Sequence, residues 1–433
     1  MKRRYTFSLL LLFISAALQV NAQDIDLDVD TAVSLALRNN LGLKSDRVDL
    51  TTKQRAKQNS WNEFLPSVSL GAGLSGSGGS RAVSSSSPWD LSASITASLP
   101  LSAANIYSMK STRLSYEAET ISLEDTEKKL VRDVKTAFYN LIVLKEKISL
   151  IEQNIETAQK RYDQAKANYE SGIVSELTML SAQVTLEALK PDLEEAVVDH
   201  EIAEMQFKQA LGLDRDTPLS IEGSIEPKTL ELEAGKLSQT HLENRLDIKA
   251  LLKEFEILET QKKLVGAEEY TPTLSLSYAF RAGVSDPFRA DWGSAGSWND
   301  SSTVGISLSL PLDGLIPGSS SRVKILEIDD SIEKTRIELV QKRELAEVEI
   351  ETIVMRLKKS IRTSKALEQN VALAQKTYNL AENRYNAGVG GLLEVEDAYD
   401  SLQEAKLGVL EERYNYLTGL FDLEYALNTR LDI

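Results

Sequence analysis

The feature that most constrains this chain is an internal duplication. The segment AQKRYDQAKANYESG at residues 158–172 returns as AQKTYNLAENRYNAG at residues 374–388, with alanines, tyrosines and a closing glycine at matching positions. Shorter matches keep the same order, since LPL at residues 99–101 recurs as LPL at residues 310–312. Such similarity predicts a fold built from one unit used twice. The unit has about 200 residues, which is too long for a solenoid repeat.

The first 22 residues have the composition of a secretory signal peptide. Lys2, Arg3 and Arg4 precede an apolar run, and small residues suited to cleavage follow at residues 20–22. We therefore expect export, with residues 1–22 removed. The apolar run is too short to span a bilayer, and no later segment approaches the roughly 20 apolar residues that a spanning helix needs. Any membrane crossing is therefore expected to use β-strands.

Composition and motifs exclude several classes of function. The chain has no cysteine, so disulfides and thiolate metal sites are excluded, and its formal charge of −16 opposes binding to nucleic acid. His200 and His241 are the only histidines, and no GxSxG, Walker A or metal-ligand spacing occurs. Gly71, Gly73 and Gly76 match the GxGxxG pattern, but a loop composition follows instead of the helix that dinucleotide binding requires. We expect no catalytic residue, no cofactor and no metal, and we interpret the chain as a non-enzyme.

Two segments have the alternating pattern of β-hairpins. Residues 65–101 and 271–312 are bounded by prolines and alternate apolar side chains with serine, threonine or glycine. Each strand has roughly 9 to 11 residues, the length of a tilted transmembrane strand. The side chains expected to face lipid are Val68, Leu70, Leu74, Ile95, Leu274, Leu276, Phe280, Ile306 and Leu308. A soluble antiparallel sheet with one hydrated face is the alternative interpretation.

Long helices account for most of the remaining chain. From about residue 103 to 171 glycine and proline are absent, and over the second half of this run apolar residues recur at intervals of three and four, the spacing of a coiled coil. The second copy keeps this register. Gly172 and Gly388 end the long helices and a second helix then returns, so residues 102–212 and 313–433 predict two antiparallel helical hairpins. Pro191 is expected to kink the first returning helix.

The other segments complete the two copies. Residues 23–64 and 240–270 are interpreted as the helices that precede each β-hairpin. Residues 213–239 contain prolines, glycines and acids, and are interpreted as an irregular equatorial connection. The predicted fold is therefore mainly α, with a unit of one strand hairpin and one long antiparallel helical hairpin used twice.

The second hairpin tip carries two acids at helical spacing. Glu394 and Asp397 are three residues apart, so in a helix both carboxylates lie on one face. If several copies surrounded a common axis, these acids would form rings of negative charge that bind cations and repel anions. The alternative interpretation is that they are solvated acids favoured by the start of a helix.

Taken together, the duplication, the proline-bounded strand pairs, the tips that place tyrosine before glycine and the LTMLSAQ segment at residues 177–183 resemble the outer-membrane efflux proteins, or TolC-like family. The resemblance implies a homotrimer with a 12-stranded β-barrel in the lipid of the Gram-negative outer membrane and a long periplasmic α-barrel. It implies a passive exit duct of a tripartite efflux pump or type I secretion system, opened at its periplasmic tip by an adaptor protein and an inner-membrane pump. A periplasmic coiled-coil structural or adaptor protein with a soluble sheet is the alternative.

The resemblance also implies roles at the tips. Glu394 and Asp397 fall on an acidic selectivity ring at the periplasmic aperture, and Tyr385 falls on an aromatic residue that helps to tie the closed tip. Two positions depart from the family, because Gly390 stands where some members have a basic residue and Thr178 stands where an acid is common. The latch that holds the gate shut is therefore expected to be weaker or built differently. The remaining residues expected in the gate are Tyr169, Gly172 and Gly388.

Overall fold

The computed structural model describes residues 25–76, 89–221, 223–226 and 228–431. The expected signal peptide at residues 1–22 and the loop of the first β-hairpin lie outside the described residues. The chain consists of two compact units. The hairpin unit consists of the described parts of residues 1–45, 126–242 and 346–433, and the sheet unit consists of those of residues 46–125 and 243–345.

The secondary structure repeats one order of elements. The elements of the first half are β1 (Ile25–Leu27), α1 (Val29–Asn39), α2 (Leu41–Gln58), β2 (Ser67–Gly76), β3 (Trp89–Leu101), α3 (Ala103–Glu170) and α4 (Glu176–Leu211). The connection and the second half contribute β4 (Leu219–Ile221), α5 (Ala234–His241), α6 (Leu246–Tyr270), β5 (Thr273–Ser285), β6 (Trp298–Ser309), α7 (Ser320–Asn386) and α8 (Leu392–Leu427). The prediction of a mainly helical chain is confirmed.

The two longest helices follow from the absence of residues that would stop them. Helix α3 has 68 residues and α7 has 67. At 1.5 Å per residue, each of these helices is about 100 Å long. Pro191 lies inside α4, and the helix continues on both sides of it. Among the described helices, none combines the length and apolarity that a membrane-spanning helix requires.

The sheet unit contains a four-stranded antiparallel sheet in the order β2-β3-β5-β6. The register opposes Leu70 with Ile95 and Ile95 with Phe280, and it opposes Leu276 with Ile306. Because side chains alternate between the two faces of a strand, this register gathers the side chains predicted to face lipid on one face. The pairs on the opposite face are mainly serine, threonine and glycine. Pairing of β3 with β5 joins the two predicted hairpins into one sheet.

The hairpin unit has separate apolar clusters for the two copies. In the first, Phe138 of α3 and Phe207 of α4 are fully buried, with ring centroids 6.2 Å apart. In the second, Ile350 and Leu357 of α7 pack with Leu420 of α8. Burying each of these side chains contributes about 1.5–3 kcal/mol, so each helical hairpin has a core of its own.

The connection between the copies is more regular than expected. Strand β4 pairs in parallel with β1, so that Leu219 opposes Ile25, and α5 begins at Ala234. The composition of the segment does not reveal β4, because the strand that pairs with it, β1, lies almost 200 residues earlier in the chain. Long-range pairing of this kind leaves no periodic signal in a three-residue strand.

Candidate functional site

Both helical hairpins turn in the same way at their tips. Gly172 and Gly388 have φ values of +75° and +72°, a region that L side chains rarely adopt. The Gly172 N–H donates to Tyr169 O at 2.8 Å, and the following N–H, of Ile173, donates to Asn168 O at 2.8 Å. The second tip repeats this pair of bonds from Gly388 and Val389. This is the Schellman motif, so the repeated tyrosine-to-glycine sequence encodes a helix stop.

The first tip uses Thr178 to begin its returning helix. Ser175 caps α4, because its Oγ accepts a hydrogen bond from the Thr178 N–H at 3.3 Å. The hydroxyl groups of the two residues are 3.1 Å apart. Thr178, at the position where the resemblance implied an acid, therefore takes part in a local helix cap.

The second tip lacks a side-chain cap and carries an ion pair instead. Gly391 precedes α8 without a side-chain cap bond. Arg384, in the last turn of α7, places Nη1 3.3 Å from Glu394 Oε2. A basic group is thus present at this tip, although it comes from Arg384 and not from position 390. The position of Arg384 could have been predicted from the sequence, because a basic residue is favoured in the last turn of a helix, where the C-terminus carries partial negative charge.

Gly390 is closely packed against the end of α7. Its N–H donates to Arg384 O at 3.1 Å. A Cβ at this position would lie 3.1 Å from Arg384 Cβ and 3.2 Å from Tyr385 N, so a side chain would require its neighbours to move. The turn therefore disfavours a side chain, basic or otherwise, at position 390.

A small apolar cluster joins the two tips. Ala165 of α3, Ala182 of α4 and Leu392 of α8 are buried, and Tyr162 and Tyr385 pack against them. Alanine at two of these positions lets the helices approach closely. Tyr385 therefore lies among side chains of both helical hairpins. Glu394 and Asp397 are exposed nearby on α8, as their spacing predicts for residues on one helix face.

Glu396 and Arg161 form a second charged group near this cluster, which the sequence did not predict. Glu396 is only 7% exposed. Burial raises the pKa of its carboxyl, and the positive charge of Arg161 on α3 opposes that rise. The Arg161 guanidinium lies over the rings of Tyr399, at 4.6 Å, and Tyr378, at 5.6 Å. Helical spacing does not reveal these contacts, because they join residues from three different helices.

The chain is similar to known proteins over most of its length. Residues 32–213 and 237–429 match the family model of the outer membrane efflux proteins. The outer membrane protein TolC of Escherichia coli (strain K12) is 24% identical over 397 residues, which cover 84% of this chain and 75% of TolC.

Two solved outer-membrane proteins share the fold. The CmeC outer membrane channel of Campylobacter jejuni superposes with a TM-score of 0.78 at 16% identity, covering 92% of this chain and 85% of CmeC. The outer membrane protein VceC of Vibrio cholerae superposes with a TM-score of 0.74 at 18% identity, covering 93% and 96%. The chain belongs to the outer membrane efflux protein family, as its motifs predicted, and is therefore a protein of the Gram-negative outer membrane.

Proposed function

We propose that this chain forms a passive trimeric channel, the outer-membrane exit duct of a tripartite efflux pump or type I secretion system. The observation that carries the proposal is the four-stranded sheet whose apolar face is exposed. Val68, Leu70, Val304, Ile306 and Leu308 are each more than two-thirds exposed. A soluble protein rarely exposes a continuous apolar face of this kind, whereas a lipid-facing sheet requires one.

The open edges of the sheet support self-association. Among the described strands, β2 and β6 each pair on one side only. Unpaired backbone groups are not tolerated in lipid, so β2 of one copy is expected to pair with β6 of the next. Three copies give a barrel of 12 strands, an even number within the range of bacterial outer-membrane barrels.

The returning helix α4 provides a second surface for neighbouring copies. It exposes apolar side chains three or four residues apart near each of its ends, namely Leu177, Leu180 and Val184 near the first and Val198, Ile202 and Met205 near the second. Buried side chains such as Leu186 and Phe207 lie on its other side, within the chain's own hairpin. Coiled-coil spacing on an exposed face is typical of helices that pack against a further helix, here one from the next protomer.

The hairpin tips support the proposed partners. Ile173 and Leu177 at the first tip, and Val389 and Leu393 at the second, are exposed aliphatic side chains. Exposed apolar side chains grouped in this way mark an interaction surface. We assign it to a periplasmic adaptor protein that links the tip to an inner-membrane pump. The pump supplies the energy, and Glu394 and Asp397 set the selectivity of the mouth.

The proposal is tested by fractionation and conductance. The wild-type protein is expected in the outer-membrane fraction as a heat-sensitive trimer that forms ion channels in planar bilayers. Recovery as a monomer from the soluble periplasm would contradict the proposal and favour the periplasmic coiled-coil protein with a soluble sheet. An outer-membrane trimer without any conductance would instead indicate a structural role.

A further inference from the structure

Arg161 occupies a site between the two helical hairpins. Its guanidinium lies over Tyr399 of α8 and Tyr378 of α7, whose ring centroids are 5.3 Å apart. Its Nη2 is buried without a hydrogen-bond acceptor among the described residues. Stacking on aromatic faces suits the planar, weakly hydrated guanidinium, so the rings define its position.

The tyrosine rings are themselves anchored. The Tyr399 hydroxyl lies 3.0 Å from Asn154 Oδ1 and 3.2 Å from Thr157 Oγ1, both on α3. The Tyr378 hydroxyl donates to Glu382 Oε1 at 2.8 Å on its own helix. Displacement of the second hairpin from the first would therefore break the hydrogen bonds of Tyr399 and the stacking of Arg161 together.

The charges around Arg161 are mostly negative. Burial raises the pKa of the Glu396 carboxyl, Arg161 opposes the rise, and the carboxylates of Asp400 and Asp397 on the same helix add to it. From α4, a hydrogen bond with Thr185 lowers the same pKa. The positive charge of Arg161 thus compensates the negative charge of the buried Glu396.

The duplication shows that this cluster is specific to one junction. At the offset that aligns Gly172 with Gly388, Arg161 corresponds to Thr377 and Glu396 corresponds to Leu180. Tyr399 and Asp400 likewise correspond to Gln183 and Val184. The cation occurs only in the first copy, and Glu396 and Tyr399 occur only in the second, although Tyr378 has a counterpart in Tyr162. The cluster therefore forms once per chain, where α3 meets α7 and α8.

We propose that Arg161 is a positioning residue that holds the second hairpin against the first near the tips and resists their separation when the channel opens. The proposal rests on the proposed channel function, because separation of the hairpins is read out as opening.

The test is single-channel recording of four full-length variants in planar bilayers at pH 7.5 and at pH 5. Arg161→Gln removes the charge, and its open probability at pH 7.5 is expected to rise about tenfold, within the range for coupled side chains in contact. Arg161→Lys keeps the charge without the planar stacking and is expected to lie between wild type and Arg161→Gln. Lys160→Gln is the matched control, because Lys160 is exposed on the same turn and pairs only with Glu156 in the described structure.

Rescue separates a charge contact from general damage to the fold. Burial raises the pKa of the Glu396 carboxyl, so acidification from pH 7.5 to pH 5 favours its neutral form and is expected to shift Arg161→Gln toward wild type. The added substitution Glu396→Gln is expected to restore it at both pH values. Assembly of the double variant where Arg161→Gln alone fails to assemble would also support the proposal.

Two outcomes overturn the inference. One is an Arg161→Gln channel that matches Lys160→Gln at both pH values. The other is failure of both Arg161→Gln and its double variant to assemble while Lys160→Gln assembles normally, which would assign Arg161 to folding alone. Both differ from failure of the proposed function, in which the wild-type protein itself forms no channel.

Discussion

Arg384 and Glu394 face each other across the second hairpin tip, with Nη1 3.3 Å from Oε2. Their side chains are 55% and 53% exposed, so the pair contributes little to folding stability, about 0.2–1 kcal/mol. Its consequence is electrostatic. Arg384 partly neutralises one of the two acids that we propose set the charge of the mouth.

Opposite effects on cation block are therefore expected from the two sides of this pair. Glu394→Ala combined with Asp397→Ala should weaken block by multivalent cations on the order of tenfold, and Arg384→Ala should strengthen it, because each changes the local concentration of cations at the mouth. Titration of single-channel current with a trivalent cation measures both. Glu156→Ala on α3 is the control, and equal block in all variants would contradict an acidic ring.

Adjacent residues of β6 are expected to tolerate arginine differently. Ile306 lies on the apolar face of the sheet and opposes Leu276, whereas Ser307 lies on the other face and opposes Ser275. Ile306→Arg should reduce trimer yield, since a charge facing lipid near the bilayer midplane costs about 2–4 kcal/mol. Ser307→Arg should assemble. Trimer content on unheated gels measures the difference, and the reverse order would show that the other face meets lipid.

The second tip allows backbone strain to be separated from side-chain volume. Gly388 has a φ of +72°, and a Cβ would meet no atom within 4 Å. Gly388→Ala should therefore destabilise the tip by about 1–2 kcal/mol through backbone strain alone. Gly391, in extended backbone with open space around it, is the control, and Gly391→Ala should cost less, through a weaker N-cap alone. Thermal unfolding compares the two, and equal midpoints would contradict the Schellman turn.

A partly buried ion pair is expected to contribute more to stability than the pairs at the surface. Lys135 Nζ lies 2.8 Å from Glu424 Oε2, and the side chains are only 19% and 13% exposed. Lys135→Ala should destabilise the hairpin unit by about 2 kcal/mol, because the partly buried Glu424 carboxylate then keeps only the Leu431 N–H as a hydrogen-bond donor among the described residues. The exposed pair of Lys160 and Glu156 provides the control, and Lys160→Ala is expected to change stability little. Denaturant midpoints that do not differ between the two variants would contradict this ranking.

Much of the architecture can be predicted from local sequence patterns. The alternation of apolar residues with serine predicts β2, β3, β5 and β6, and the run without glycine or proline predicts α3 almost to the residue. Gly172 and Gly388 mark both helix ends because the left-handed turn that they occupy penalises every other residue type. These signals depend on neighbours a few residues away, so they can be read directly from the chain.

The sequence by itself determined the duplication, the order of elements and the family, and it placed Glu394 and Asp397 on one exposed face. Only the tertiary structure decided which residues those elements bring together: Arg384 with Glu394, and Arg161 with the Tyr378 and Tyr399 rings. Helical periodicity indicates which face of a helix is apolar, but not which other helix that face meets or at what register. The charged contacts near the tips depend on that register, which is why the repeated sequence predicts the turns and the packing of four helices determines what lies between them.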